Sequence, residues 1–226
     1  MSAPGPSVGI PRPIEIVMVL FGLTLFAPLI GLSALAILLT SGSPVIFRQQ
    51  RIGRRGVPFL LYKLRTMKVV RDTDHKVTAD HQVTAEGDSR VLPVGRFLRK
   101  TKMDELPELW NVLKGDMSIV GPRPEVPRYV DMSNPLWKVV LEARPGITDQ
   151  TTLWLRNEET LLASVDGDHE EFYLKTLQPL KLQSYVSYLR YRSFWRDLTV
   201  LLQTCAAVVL PRLSATPKIE ELQKDT

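Results

Sequence analysis

Two hydrophobic regimes divide the chain. From Ile16 to Leu39 no charged residue occurs, and as one straight helix this segment would reach about 36 Å, enough to cross a hydrocarbon core of about 30 Å. Ala27 and Pro28 stand near its midpoint. Proline removes one backbone hydrogen bond and clashes with the preceding turn, so a kink is expected there. The halves Ile16 to Ala27 and Leu29 to Thr40 would each measure about 18 Å, and neither spans alone. Two topologies follow: a kinked helix that crosses the bilayer, or a helix–break–helix hairpin that enters and leaves by one face. Proline is common enough in spanning helices that composition alone favours crossing.

After Thr40 the pattern changes. Val45-Ile46-Phe47 and Phe59-Leu60-Leu61-Tyr62 flank a polar turn containing Gly53 and Gly56, which predicts a β-hairpin. Residues 71–90 are strongly polar and read as a long loop. Leu106, Leu109, Trp110 and Leu113 then recur at i, i+3, i+4 and i+7, with Pro107 near the start and Gly115 just past the end, predicting a helix. Turn-rich stretches follow at Gly121–Pro124 and Arg144–Gly146. Helical patterns resume from Leu161 to Leu189, and the last, Trp195 to Leu210, is apolar but too short to span. Proline and glycine dominate residues 1–13, and residues 211–226 are polar, so both ends read as tails. The expected organisation is a tail at 1–13, a membrane-inserted segment at 14–42, a soluble domain at 43–210 and a polar tail at 211–226. The fold class is α+β, mostly helical, and no internal repeat suggests a solenoid.

Composition adds little to this and charge adds more. The 44% hydrophobic and 23% charged residues of this 226-residue chain match globular averages and exclude disorder as the main state. The net charge of +5 is unevenly placed, with Arg48, Arg51, Arg54 and Arg55 directly after the apolar segment. The positive-inside bias puts that side in the cytoplasm. These arginines can bind anionic phospholipid headgroups, and a solvated hairpin turn explains them equally well. Cys205, the single cysteine, forms no intramolecular disulfide, and its apolar neighbours predict a buried small hydrophobe in a reducing compartment. The apolar segment is longer than a signal-peptide core and is preceded by Arg12 alone as a positive charge, so it is expected to be retained.

Candidate chemistry lies in two places. Asp72, Asp74, His75, Asp80 and His81 could ligate a metal, but their spacing matches no ligand motif, and a solvated loop is the expected reading. Arg99-Lys100-Thr101-Lys102-Met103-Asp104-Glu105-Leu106-Pro107 places adjacent carboxylates among basic residues at a helix start. The positive end of a helix with basic neighbours suits phosphate. Carboxylates there would repel it, and Mg²⁺ resolves the conflict because it binds one or two carboxylates together with substrate phosphate oxygens. Asp104 and Glu105 are therefore candidate metal ligands, and the carboxylate left over could act as a nucleophile. The plain alternative is a helix start with Thr101 as N-cap and Asp104 completing an approximate capping box.

The run Lys102-Met103-Asp104-Glu105-Leu106-Pro107-Glu108-Leu109-Trp110-Asn111-Val112-Leu113-Lys114-Gly115-Asp116-Met117-Ser118-Ile119-Val120-Gly121-Pro122-Arg123-Pro124 resembles the core signature of the bacterial sugar transferases, the monotopic phosphoglycosyl transferases, in their minimal catalytic form. The likeness continues, in order, through Phe47–Gly53, Tyr62–Met67, Arg144–Thr148 and Ser193–Leu198. It implies transfer of a phosphosugar from a nucleotide sugar, usually a UDP-sugar, to polyprenyl phosphate with release of UMP. On this resemblance Asp104 is the nucleophile, Glu105 a Mg²⁺ ligand, and Lys63, Arg99, Arg123 and Asp197 are active-site positions. Asp197 could instead be an ion-pair partner of Arg192 or Arg196.

The resemblance further implies a re-entrant helix broken at Ala27-Pro28 with both ends in the cytoplasm, membrane-surface amphipathic helices, and a catalytic domain on the cytoplasmic face of a bacterial inner membrane. One departure is that Ala27 stands where some members have serine. Another is the remodelled stretch Asp149–Glu159, where Trp154 could stack on a ring or belong to the core and Arg156 could meet phosphate. Arg123, Arg144, Arg156 and Trp154 are the substrate-binding candidates, and the sugar is not named by these residues. A second copy of the chain remains a candidate partner. Two rival classes are a basic membrane-anchored binding protein and a membrane-bound Mg²⁺ phosphohydrolase. No helix-turn-helix, zinc-finger or RNA-binding pattern favours a nucleic-acid partner.

Overall fold

The computed structural model describes residues 9–68, 84 and 86–209. Residues 1–8 of the expected tail at 1–13, the Asp72–His81 group and the polar tail at 211–226 lie outside these residues. Helix α1 (Arg12–Ser41) is followed by strands β1 (Ile46–Ile52) and β2 (Pro58–Leu64), then α2 (Pro93–Lys100) and α3 (Glu108–Lys114). Next come β3 (Ser118–Val120), α4 (Pro135–Glu142), β4 (Gly146–Thr148), α5 (Gln150–Trp154) and α6 (Glu158–Ala163). Helix α7 (His169–Phe172) runs through a π-helical turn (Tyr173–Leu177) into α8 (Gln178–Arg190), and α9 (Phe194–Val209) ends the described chain. The fold is α+β and mostly helical, as the sequence predicts.

The expected hairpin forms, with β1 and β2 antiparallel and Ile46 opposite Leu64, Ile52 opposite Pro58. Its turn carries Arg55 and Gly56 at positive φ, the latter conformation being one that glycine adopts without strain. Strands β3 and β4 form a second, parallel pair. Their ends approach so closely that a Cβ on Gly146 would lie 2.1 Å from the Gly121 nitrogen. The two glycines thus permit the bonds Gly121 N to Thr148 O (2.9 Å) and Gly146 N to Pro122 O (2.9 Å), which fix the Gly-Pro-Arg-Pro segment after β3.

Helix α1 is 30 residues long and stays helical through Pro28. It is long and apolar enough to cross a membrane, yet both of its ends rest on the domain. Near the start, Val19 joins a core cluster with Leu61, Val112 and Val120. Near the end, Ile37 joins Leu64 and Leu98. Between them, Thr24 to Pro28 are exposed without interruption, more than one helical turn. Glu15, in the first turn, is buried and accepts hydrogen bonds from Ser118 Oγ (2.6 Å) and Ile119 N (2.9 Å).

Two expectations are corrected, at Thr101 and at Cys205, and one is refined in α3. Thr101 is not an N-cap for the helix that follows: it ends α2, donating through Oγ1 to Phe97 O at 2.8 Å. The predicted helix α3 forms, and of its periodic residues Leu109 and Leu113 pack against the core cluster that contains Val112, while Trp110 is exposed and Glu108 and Asn111 are buried. Asn111 explains this, because its amide bonds Leu60 O (2.7 Å) and Tyr62 N (3.1 Å) and so turns that face toward β2. Cys205 is exposed, on a helix whose neighbouring Leu202 and Val208 also face outward.

Candidate active site

Four short elements converge on one carboxylate cluster. Lys102, at φ +58°, turns the chain into a 3₁₀ turn (Met103–Glu105) that presents Asp104 and Glu105. The first turn of α3 adds Glu108, β2 brings Lys63 and the segment after β3 brings Arg123. Glu105 Oε1 accepts from Lys63 Nζ at 3.0 Å and from Arg123 Nη2 in a short contact. Lys63 Nζ also lies 3.2 Å from Glu108 Oε1. No described residue donates a hydrogen bond to the Asp104 carboxylate, which is 6% exposed and faces a cavity of about 1440 Å³.

The two adjacent carboxylates are electrostatically distinct. Burial and the neighbouring Glu105 charge push Asp104 up to about 6. Burial alone would raise Glu105, but the charges of Arg123, Lys63 and Lys102 outweigh it and hold the group well below the usual carboxylate range. The Glu105 charge in turn holds Arg123 well above its ordinary value. Burial, and then Glu105, raises Glu108. One carboxylate of the dyad is thus clamped as an anion, and the other is exposed to the cavity with no donor to satisfy it.

The cavity collects most of the expected residues. Lys63, Arg99, Asp104, Glu105, Arg123, Arg156 and Arg48 all line it. Arg99 lines the cavity, pairs with Glu159 in a short contact and donates to Thr66 Oγ1 at 3.5 Å. Arg51 is not a free headgroup ligand. It donates to Gln49 Oε1 (2.6 Å) and Pro124 O (3.1 Å) and meets Glu125 at 3.4 Å, inside the cavity wall. Arg48 sits over the Tyr62 ring, 5.9 Å from its centroid.

Three expected residues stand elsewhere. Arg144 and Trp154 are not among the described residues that line the cavity. Asp197 is fully buried and is not among the described residues that line the cavity. It pairs with Arg192 Nη2 at 2.8 Å, accepts a short bond from Tyr188 OH and accepts from Ile10 N at 3.1 Å. Its partner is Arg192, because the Arg196 side chain turns instead to Tyr191 O (3.1 Å). The geometry gives Asp197 a structural position, tying the entry to α1 onto α9.

Sequence reading missed Glu108, although its spacing from Glu105 puts both on one helical face. It also missed Glu125, Glu158, Tyr173 and Lys181 in the cavity wall. Glu125 accepts from the Tyr173 hydroxyl in a short contact across 48 positions of sequence, a pairing that no local pattern signals.

The bacterial sugar transferase family model matches residues 7–211, from the entry to α1 through the end of α9. The chain belongs to this family. Among curated relatives, it is 38% identical over 201 residues to UDP-glucose:undecaprenyl-phosphate glucose-1-phosphate transferase of Caulobacter vibrioides, covering 88% of this chain and 69% of that protein. It is 44% identical over 124 residues to a putative undecaprenyl-phosphate N-acetylgalactosaminyl 1-phosphate transferase of Bacillus subtilis, covering 55% of this chain and 66% of the relative. The UDP-glucose:undecaprenyl-phosphate glucose-1-phosphate transferase of Escherichia coli is 36% identical over 193 residues, covering 84% of this chain but 38% of its own. In this sugar transferase, the carboxylate dyad and the Gly-Pro-Arg-Pro segment both lie inside the matched region.

Proposed function

We propose that this protein transfers a sugar 1-phosphate from a UDP-sugar to polyprenyl phosphate, producing polyprenyl diphosphate sugar and UMP, at the cytoplasmic face of a bacterial inner membrane. The curated relatives carry names of this activity class. The observation that carries the reading is the asymmetry of the dyad: Glu105 is held by Lys63 and Arg123, while Asp104 faces the cavity without a donor.

The mechanism uses that asymmetry. A carboxylate oxygen of Asp104 attacks the β-phosphorus of the donor, the bond from that phosphorus to the bridging oxygen breaks, and UMP leaves with the electron pair. An oxygen of polyprenyl phosphate then attacks the same phosphorus, and Asp104 departs as a carboxylate. Lys63 and Arg123 neutralise charge on the phosphoryl oxygens in both steps, and Arg99, which also lines the cavity, meets the outer phosphate. The donor set fits Mg²⁺. Asp104 and Glu105 are adjacent hard ligands, and the described residues contain no cluster of three His, Cys, Asp or Glu that would hold a metal by protein alone. An ion sharing its shell with substrate phosphates needs only one or two carboxylates. Mg²⁺ bound there supplies neutralisation of the diphosphate charge.

Helix α1 enters and leaves the bilayer by the same face. Support comes from the partners of its two ends: the Val19 cluster includes Leu61 and the Ile37 cluster includes Leu64. These leucines are three positions apart on β2, about 10 Å, far less than a hydrocarbon core of about 30 Å. A crossing helix would place them on opposite sides of the membrane. Exposed Phe47, Leu60, Phe97, Trp110 and Trp195 supply apolar contacts for the bilayer surface, and Arg48 a positive charge for anionic lipid.

The test is incubation of the purified protein with Mg²⁺, polyprenyl phosphate and a panel of UDP-sugars, with UMP measured. Lipid-dependent UMP release is the expected result. Release of inorganic phosphate or free sugar phosphate without polyprenyl phosphate would identify a phosphohydrolase instead.

A further inference from the structure

Glu108 is the carboxylate of the cluster that this chemistry leaves unused. It sits in the first turn of α3 with its side chain 1% exposed, and it is not among the residues that line the cavity. Its Oε1 lies 3.2 Å from Lys63 Nζ but has no aligned hydrogen bond among the described residues. A carboxylate buried this far is strongly disfavoured unless it has a cationic neighbour, and Lys63 is the one it touches.

Lys63 is shared. Its ammonium donates to Glu105 at 3.0 Å while it meets Glu108. An ammonium is a compact charge with three donors on a flexible stem. Held by Glu105 alone it would move whenever that carboxylate turned toward the donor complex. The buried Glu108 charge at 3.2 Å attracts it from behind as an ion-pair partner and leaves its remaining N–H groups for a phosphate oxygen in the cavity.

We infer that Glu108 is a positioning residue that holds the Lys63 ammonium at the cavity wall while Glu105 engages the donor complex. This rests on the transferase reading given above. Glu108 touches no reacting atom, so its effect must pass entirely through Lys63.

A double-mutant cycle in the full-length protein in lipid nanodiscs tests this, using Glu108→Ala, Glu108→Gln, Lys63→Met and the Glu108→Ala, Lys63→Met double variant. Turnover is read as UMP release. UDP affinity, measured by calorimetry with and without Mg²⁺, gives a second readout that needs no turnover. Glu108→Ala should lower kcat about tenfold or more, as expected for a misplaced catalytic group. Glu108→Gln, which keeps the shape but removes the charge that pairs with Lys63, should fall to about the level of Glu108→Ala. In the Lys63→Met background, Glu108→Ala should change neither kcat nor UDP affinity further. If Glu108→Ala fails to fold, Glu108→Met keeps the volume and replaces it in the cycle.

Additive losses would show that Glu108 acts independently of Lys63 and would overturn the inference. So would wild-type kcat and UDP affinity in Glu108→Ala. A wild type that releases no UMP from any UDP-sugar would refute the transferase reading, and the UDP-affinity cycle would still decide the role of Glu108.

Discussion

Glu15 Oε1 accepts a 2.9 Å hydrogen bond from the backbone N–H of Ile119, so the first turn of α1 is bonded to the strand that leads into Arg123. The same oxygen accepts from Ser118 Oγ, and the other pairs with Arg12. Glu15→Leu would leave these buried partners unsatisfied and should lower stability by about 3 kcal/mol. Thermal melting in nanodiscs measures it. A melting temperature equal to that of the wild type would mean that α1 is seated by its apolar contacts alone.

Topology is tested by cysteine labelling from outside intact cells. The background is Cys205→Ser, because Cys205 is exposed and would itself react. Cysteines placed at Ser2 and at Thr226 should both resist a membrane-impermeant reagent and react after permeabilisation. Labelling at Ser2 alone in intact cells would show that α1 crosses the bilayer.

Glu105→Gln removes a hard anionic ligand and weakens the clamp from Lys63 and Arg123 while preserving shape. Activity should fall at least a hundredfold, in line with the loss of one positioned electrostatic group, about 3 kcal/mol. The Mg²⁺ concentration for half-maximal rate should rise. Near-normal turnover at low Mg²⁺ would remove Glu105 from the metal site.

The raised pKa of Asp104, about 6, gives a pH dependence with a definite sign. The nucleophile must be ionised, so kcat/KM for the donor should be level above about pH 7 and fall about tenfold per unit well below pH 6. Stability runs the other way. The folded state holds the Asp104 proton more tightly than the unfolded chain does, so stability is greatest below the unfolded value and declines as pH rises through about 6. At neutral pH the ionised group costs the fold about 2–3 kcal/mol. Asp104→Asn should therefore melt higher than wild type at pH 7.5, and the gain should shrink at pH 4.5. A lower melting temperature at pH 7.5 would contradict the burial argument.

What was legible in the sequence follows from the range of each interaction. The β1–β2 hairpin was visible because its signal is local: two apolar runs around Gly53 and Gly56. The dyad was visible because Asp104 and Glu105 are adjacent within a long family signature. Arg99 was identified, but its partner Glu159 lies 60 positions away and gave no signal. Periodicity marked the apolar stripe of α3 and the apolar character of α9, but not what each stripe faces. Trp110 and Cys205 are exposed, and an apolar pattern alone does not say which of its residues face the core. Asp197 is placed among active-site positions by resemblance and with Arg192 or Arg196 by spacing, and the structure shows it buried and paired with Arg192.

The central claim is that Asp104 carries the phosphosugar between a soluble donor and a lipid acceptor, and mass spectrometry of the acid-quenched enzyme tests it most directly. Mixed with UDP-sugar and Mg²⁺ but no polyprenyl phosphate, the wild type should gain about one phosphosugar per chain on the peptide containing Asp104, and should lose it when the lipid is added. Asp104→Asn should gain none, and initial-rate plots for the wild type should be parallel. A wild type that turns over but never acquires the adduct under rapid quenching, with intersecting rate plots, would contradict the covalent route and establish direct attack by the lipid phosphate.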